Sequence, residues 1–289
     1  MSDDNRKENA FIVHIGAHRT GTTSFQTLLG KYRENLADRN VQALTPGILR
    51  KKARIVKTTT PKRSSSNQLA TAEHRWKLVE SLLKDGQRVV MSEENILGSM
   101  EPCLRKAQLY PHLRRRLKNL APLLQNANEL ILVVRKAQDW WNSLIAVSAK
   151  QGAIPTTEQV QKISICSRGW HHVVAEICEF YPEIPLRLIP YSPVSHDNLS
   201  ELSDASGLSE ILNIAGENIT TNKAPKLVSL EGHPDFGRLK KAKFDHQGFN
   251  FFTPAETKAF QKNDDAFLEF LKASNLPNLK FDITAFGSW

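Results

Sequence analysis

The apolar run Phe11-Ile12-Val13-His14-Ile15 stops at Gly16 and is followed by Gly21-Thr22-Thr23, which predicts a strand, a glycine-containing turn and the start of a helix. From Ser24 onward Phe25, Leu28, Leu29 and Tyr32 recur at helical spacing, so that helix is expected to reach about Asp38. Val41 to Leu44 reads as a short second strand. A helical pattern covers Ala72 to Lys84, Asp85-Gly86 turns the chain, and Arg88-Val89-Val90-Met91 predicts a buried strand that ends at Ser92-Glu93-Glu94. A basic helix is expected over Arg105 to Leu124. The run Leu130-Ile131-Leu132-Val133-Val134, short, wholly apolar and bounded by polar residues, has the pattern of a central parallel strand. Trp140 to Lys150 and Gly169 to Phe180 read as helices and Leu186 to Ile189 as a further strand. Strands alternating with helices predict an α/β fold of three layers, with a central, mostly parallel sheet flanked by helices. Beyond Ser192 a helix is expected over Pro254 to Lys272, while the last strand and the role of the Phe249-Asn250-Phe251-Phe252 cluster have no assignment.

The composition places this pattern in a globular chain. It has 289 residues, 40% of them hydrophobic, which excludes disorder, collagen and coiled coil as whole-chain readings and suits one α/β domain over 1–289. With 39 Lys+Arg against 30 Asp+Glu the net charge is +9, so an anionic ligand is drawn in, and a site must say which one. The charge concentrates at about 46–72, where Arg50, Lys51, Lys52, Arg54, Lys57, Lys62 and Arg63 precede the first acid, Glu73, among Ser, Thr and Pro residues. That composition predicts a mobile basic insertion, either a lid over the acceptor side of a cleft or a solvated loop. Cys103, Cys166 and Cys178 are widely spaced and odd in number, so neither a disulfide framework nor a zinc cluster is expected. Met1 to Ala10 is polar, and no apolar run approaches the roughly 18 residues of a membrane span. The expectation is a cytoplasmic protein.

The first turn carries the chemistry. Gly16-Ala17-His18-Arg19-Thr20-Gly21-Thr22-Thr23 has GxxxxG spacing between a strand and a helix, where backbone N–H groups and the helix dipole converge on an anion. Thr22 stands where a lysine for a β/γ-phosphate would follow the second glycine, and the strand Leu130 to Val134 ends in Arg135 rather than a magnesium-holding Asp. A triphosphate-hydrolysing site is disfavoured. Hydroxyls of Thr20, Thr22, Thr23 and Ser24, with the cations of Arg19 and His18, suit a phosphate bound without metal.

The segment from His14 to Gln26 resembles the 5′-phosphosulfate loop of the sulfotransferase superfamily. Its second signature, an Arg at the end of a central strand and a Ser eight residues on, is matched by Arg135 and Ser143. The resemblance implies a P-loop-type fold and 3′-phosphoadenosine 5′-phosphosulfate as an anionic nucleotide donor, with no metal. His18, Arg19, Thr20, Gly21, Thr22, Thr23 and Ser24 would hold the 5′-phosphosulfate, and Arg135 and Ser143 the 3′-phosphate. It also implies a catalytic Glu in Ser92-Glu93-Glu94. Neighbouring strand residues point to opposite faces, so one of the pair serves, Glu94 by register and Glu93 as the alternative. The implied acceptor is a hydroxyl or amine of a carbohydrate or glycolipid. Arg19 stands where the family has Lys and can stabilise a leaving phosphate but not protonate it. Thr221-Asn222-Lys223-Ala224 is a weak match for the loop flanking adenine. His112, His171 and His172 follow no strand end; Trp140 and Trp141 are candidates to stack on a sugar or adenine ring, with one of them expected in the core by helical spacing. The rival readings are a catalytically silent nucleotide-binding protein and a divergent nucleotide kinase; for a nucleic-acid binder there is only the charge.

Overall fold

The computed structural model describes residues 10–51, 65–150, 155–192, 197–212, 214, 243–245, 248–287 and 289. The elements run β1 (Phe11–His14), α1 (Thr22–Lys31), α2 (Arg33–Ala37), β2 (Val41–Leu44), α3 (Pro46–Lys51), α4 (Ser65–Lys84), β3 (Arg88–Ser92), α5 (Met100–Lys106), α6 (Leu113–Leu124), β4 (Glu129–Val134), α7 (Ala137–Lys150), α8 (Thr157–Ser164), α9 (Trp170–Phe180), β5 (Leu186–Pro190), α10 (Asp197–Ala205), β6 (Lys243–Asp245), β7 (Gly248–Asn250), α11 (Pro254–Ala273) and β8 (Leu279–Lys280). The main sheet has six strands in the order β2-β3-β1-β4-β5-β8, and every pairing in it is parallel. The α/β class and the flanked parallel sheet expected from the alternation are therefore what the chain forms.

Residue alternation builds the two faces. Phe11, Val13, Leu130, Leu132 and Val134 enter the larger apolar cluster with residues of α4, α6, α7, α9 and α11. Ile12, Val90, Ile131 and Val133 enter the smaller one with Phe25, Leu28 and Leu29 of α1 and Leu199 and Leu202 of α10. From β1 the chain builds β2 and β3 on one side, then crosses to β4 and β5 on the other. The order reverses at β1, and ligands of open parallel sheets bind beyond the carboxyl ends of strands at such a point.

Several element boundaries differ from those expected. The helix from Ser24 to Asp38 breaks at Tyr32 into α1 and α2. The basic helix over Arg105 to Leu124 is two helices, parted where Ala107 and Tyr110 take positive φ values of 51° and 46°. Leu109 and Tyr110, at this break, are buried in the core. The stretch at 46–72 is helical at both ends, in α3 and the first turns of α4, and residues 52–64 between them lie outside the described residues, as do Thr221 to Ala224. The missing edge strand is β8, on β5. Phe251 and Phe252 are buried in the larger cluster, with the Phe251 amide donating to Asn142 Oδ1 at 3.0 Å. Cys103 and Cys178 are buried free thiols, pushed by burial up to about 12 and about 11. No described helix is long and apolar enough to cross a membrane.

Candidate functional site

Between β1 and α1 the backbone takes positive φ at Gly16 (34°), Arg19 (69°) and Gly21 (77°). A Cβ on Gly16 would lie 3.0 Å from Thr22 Oγ1 and 3.2 Å from His14 Nε2, so the space and the φ both call for glycine. Thr20 Oγ1 and Thr22 Oγ1 donate to the Ala17 carbonyl at 2.6 and 3.1 Å. These hydroxyls, expected on a phosphate, brace the loop from within, and both residues are buried. Thr23 is exposed and Ser24 half-buried. Gly21 caps α1 without a side-chain bond, and the first turn holds no acid, which leaves the positive end of the helix suited to an external anion.

The loop is clamped by aromatic side chains. The His18 amide donates to the Tyr110 hydroxyl at 3.0 Å, and Trp140 Nε1 donates to the His18 carbonyl at 2.7 Å. The His18 ring also lies against Tyr110, its Nδ1 3.3 Å from the hydroxyl. Trp170 Nε1 donates to the Arg135 carbonyl at 2.6 Å. Trp140, Trp141 and Trp170 are all buried, so the first two are core residues, not an open stacking face.

The two motifs meet. Arg135 Nη1 donates to the Arg19 carbonyl at 3.0 Å, and Arg19 Nε donates to Ser143 Oγ at 2.8 Å. Arg135 also lies over the Tyr191 ring, 4.8 Å from its centroid, and the same ring flanks Gly21. Burial, and then the neighbouring charge of Arg135, lower the pKa of Arg19, while burial lowers that of Arg135 against the opposing pull of Tyr191 and Asp139. Arg135 Nε is buried with no hydrogen-bond partner among the described residues. Two adjacent, partly desolvated guanidiniums, one with an orphaned donor, form a surrounding that an anion would relieve.

Across the loop, β3 delivers the glutamates, and the structure separates them. Glu93 is 1% exposed. Its Oε1 accepts from the Asn95 amide and from Asn95 Nδ2, each at 3.1 Å, capping the 3-10 turn at Glu94–Ile96. Its charge opposes the lowering by burial of the Arg75 and Arg116 pKa values, which come to about 9 and about 10. Glu94 is half-buried and faces α1, where its Oε2 accepts from Gln26 Nε2 at 2.8 Å. Of the two, Glu94 is the one presented beside the loop. His112 lies among Lys106, Arg115, Arg105 and Arg116, and the His171 and His172 rings meet at 4.1 Å, tilted by 42°, on α9.

Tyr110, Trp170, Tyr191 and Gln26 had no role in the sequence reading. Tyr110 was hidden inside an expected helix, and Tyr191 follows a strand without any motif of its own. Gln26 had one signal, its place one helical turn after Thr22.

No family model matches the chain, and no curated protein matches it. Among solved structures, the thymidylate kinase of Ehrlichia chaffeensis is similar over 68% of this chain and 97% of its own, at 13% identity and a TM-score of 0.38. The α/β class is read from the sheet of the chain itself.

Proposed function

We propose that the chain is a sulfotransferase that moves a sulfuryl group from 3′-phosphoadenosine 5′-phosphosulfate to a hydroxyl or amine of a carbohydrate or glycolipid. The observation that carries this reading is the meeting of two motifs more than 110 residues apart in sequence: Arg135 on the Arg19 carbonyl and Arg19 on Ser143, beside the uncapped start of α1. The donor is a nucleotide with two anionic ends, and the site has two anion-binding parts. The amides of the loop and of the α1 start, with Arg19, would hold the 5′-phosphosulfate. Arg135 and Ser143 would hold the 3′-phosphate, and the orphaned Arg135 Nε is a donor for it. Tyr191, between Gly21 and Arg135, offers a ring face to the nucleoside.

In this reading Glu94 takes the proton of the attacking hydroxyl or amine as the new bond to sulfur forms. The bond from sulfur to the bridging phosphate oxygen breaks, its electron pair stays on that oxygen, and Arg19 offsets the charge gained there. Arg19 does this without giving a proton, since guanidinium does not ionise in the working range.

Calorimetric titration with 3′-phosphoadenosine 5′-phosphate, with and without magnesium and beside ATP, tests the reading. Binding that needs no magnesium and is lost in Arg135→Ala is expected, followed by transfer of labelled sulfate in an acceptor screen. ATP binding that needs magnesium would instead support a divergent nucleotide kinase. Tight nucleotide binding with no transfer to any acceptor would leave a catalytically silent binding protein.

A further inference from the structure

Helix α1 starts at the anion-binding loop and one turn later reaches the carboxylate assigned as base. The residue that spans the gap is Gln26. Its Nε2 lies 2.8 Å from Glu94 Oε2, 3.3 Å from Ser92 Oγ and 3.4 Å from the Ser92 carbonyl. A carboxylate oxygen and a backbone carbonyl only accept, so the nitrogen of the Gln26 amide, not its oxygen, faces β3. Ser92 Oγ then accepts from Gln26, and His14 Nδ1 shares a hydrogen bond with it at 3.0 Å. His14 is fully buried and burial holds its pKa down to about 4, so the ring meets Ser92 Oγ as a neutral imidazole, through Nδ1 in either tautomer. The hydrogen-bonded chain Glu94, Gln26, Ser92, His14 thus runs from the cleft to the strand beneath the loop.

We propose that Gln26 is a positioning residue for proton transfer, which fixes the Glu94 carboxylate by one oxygen and ties it to the helix whose start receives the anionic donor. The role rests on the reading of Glu94 as the base. An amide donor favours the ionised carboxylate over the acid and sets its direction. The base is thereby kept ready to accept and held in register with the loop, so that acceptor and donor meet at a geometry α1 defines.

The full-length protein tests this in two ways, one of which needs no activity. In 15N spectra at neutral pH, where the His14 ring is uncharged, the side-chain NH2 signals of Gln26 are expected to move in Glu94→Leu relative to the wild type. Signals that Glu94→Leu leaves in place overturn the link whatever reaction the protein performs. In the kinetic arm, Gln26→Leu is expected to lower kcat about tenfold or more, to leave KM for the nucleotide within about twofold, and to move the acid limb of the pH–rate profile up by about one pH unit. Gln26→Glu, which keeps the shape and replaces the donor with a second carboxylate, should move the limb further in the same direction. In a Glu94→Gln background Gln26→Leu should cost nothing more. An unmoved acid limb, or additive losses in the double variant, overturn the proposal. Unchanged nucleotide affinity in Gln26→Leu certifies the fold. If the 15N link is present and no sulfuryl transfer occurs in any form, the functional reading fails and takes the catalytic role of Gln26 with it, leaving only the hydrogen bond.

Discussion

Arg19 carries two loads at once. Its backbone takes a positive φ of 69° in the loop, and its guanidinium is fixed by Ser143 beside the second cation, Arg135. Arg19→Ala is therefore expected to lower affinity for 3′-phosphoadenosine 5′-phosphate about tenfold to a hundredfold, the worth of a charge-assisted hydrogen bond, as read by calorimetry. Tyr110 is a structural counterpart. Its hydroxyl accepts from the buried His18 amide, so Tyr110→Phe strands a buried donor and should cost about 1–3 kcal/mol in denaturant unfolding. The contrast also marks what the sequence could express. Arg19 stands in a strand–turn–helix spacing that is legible along the chain, and Arg135, Ser143 and Glu94 are reached through the resemblance of their stretches to the sulfotransferase motifs. Tyr110, Trp170 and Gln26 act through contacts between elements far apart in sequence, and no local pattern encodes them. Thr20 and Thr22 were legible as loop hydroxyls, but their direction, inward onto the Ala17 carbonyl, depends on the positive φ values around them.

Among the elements, α7 has the most exacting position, because it carries Ser143 to Arg19. Its start is fixed by Asp264 of α11, which accepts from the Ala137 amide at 2.9 Å. Asp264 is 4% exposed, and burial raises its pKa to about 7. A carboxyl that binds its proton more tightly folded than unfolded contributes its full stability below the usual value near 4 and loses it as pH rises through 7. Replacement by Asn keeps an acceptor for the amide and removes the titration. The stability of wild type relative to Asp264→Asn should accordingly fall between pH 4 and pH 7, by on the order of a few kcal/mol, in urea unfolding followed across that range. An invariant difference would mean that Asp264 is ionised throughout. Apolar periodicity identified α7 and most other helices, yet gave no sign of the breaks at Tyr32 and at Gln108 to His112. The first break leaves Tyr32 packed against the smaller cluster and the second leaves Leu109 and Tyr110 buried in the larger one, contacts of the assembled fold that local propensity does not encode.

At the scale of the molecule, the reversal of strand order at β1 puts the ends of β1, β3 and β4 on one crevice, and the site is a product of that topology. The clamp reaches across it: Trp170, on α9, holds the backbone of Arg135, and Trp140, on α7, holds that of His18. Both belong to the larger apolar cluster, so the geometry of the two proposed anion-binding parts is referred to one packed core. A nucleotide that binds only the folded chain adds about 2.7 kcal/mol at one hundred times its Kd. The melting temperature of the wild type should therefore rise with 3′-phosphoadenosine 5′-phosphate, and that of Arg135→Ala should not. Trp170→Phe separates packing from clamping, since it keeps most of the ring in the core and loses the N–H to Arg135. If the core orients the arginine, this variant melts within a few degrees of the wild type without ligand, yet shows a smaller rise with nucleotide at the same concentration. A full rise in Trp170→Phe would mean that the carbonyl of Arg135 needs no tether, and that the crevice is shaped by the strand ends alone.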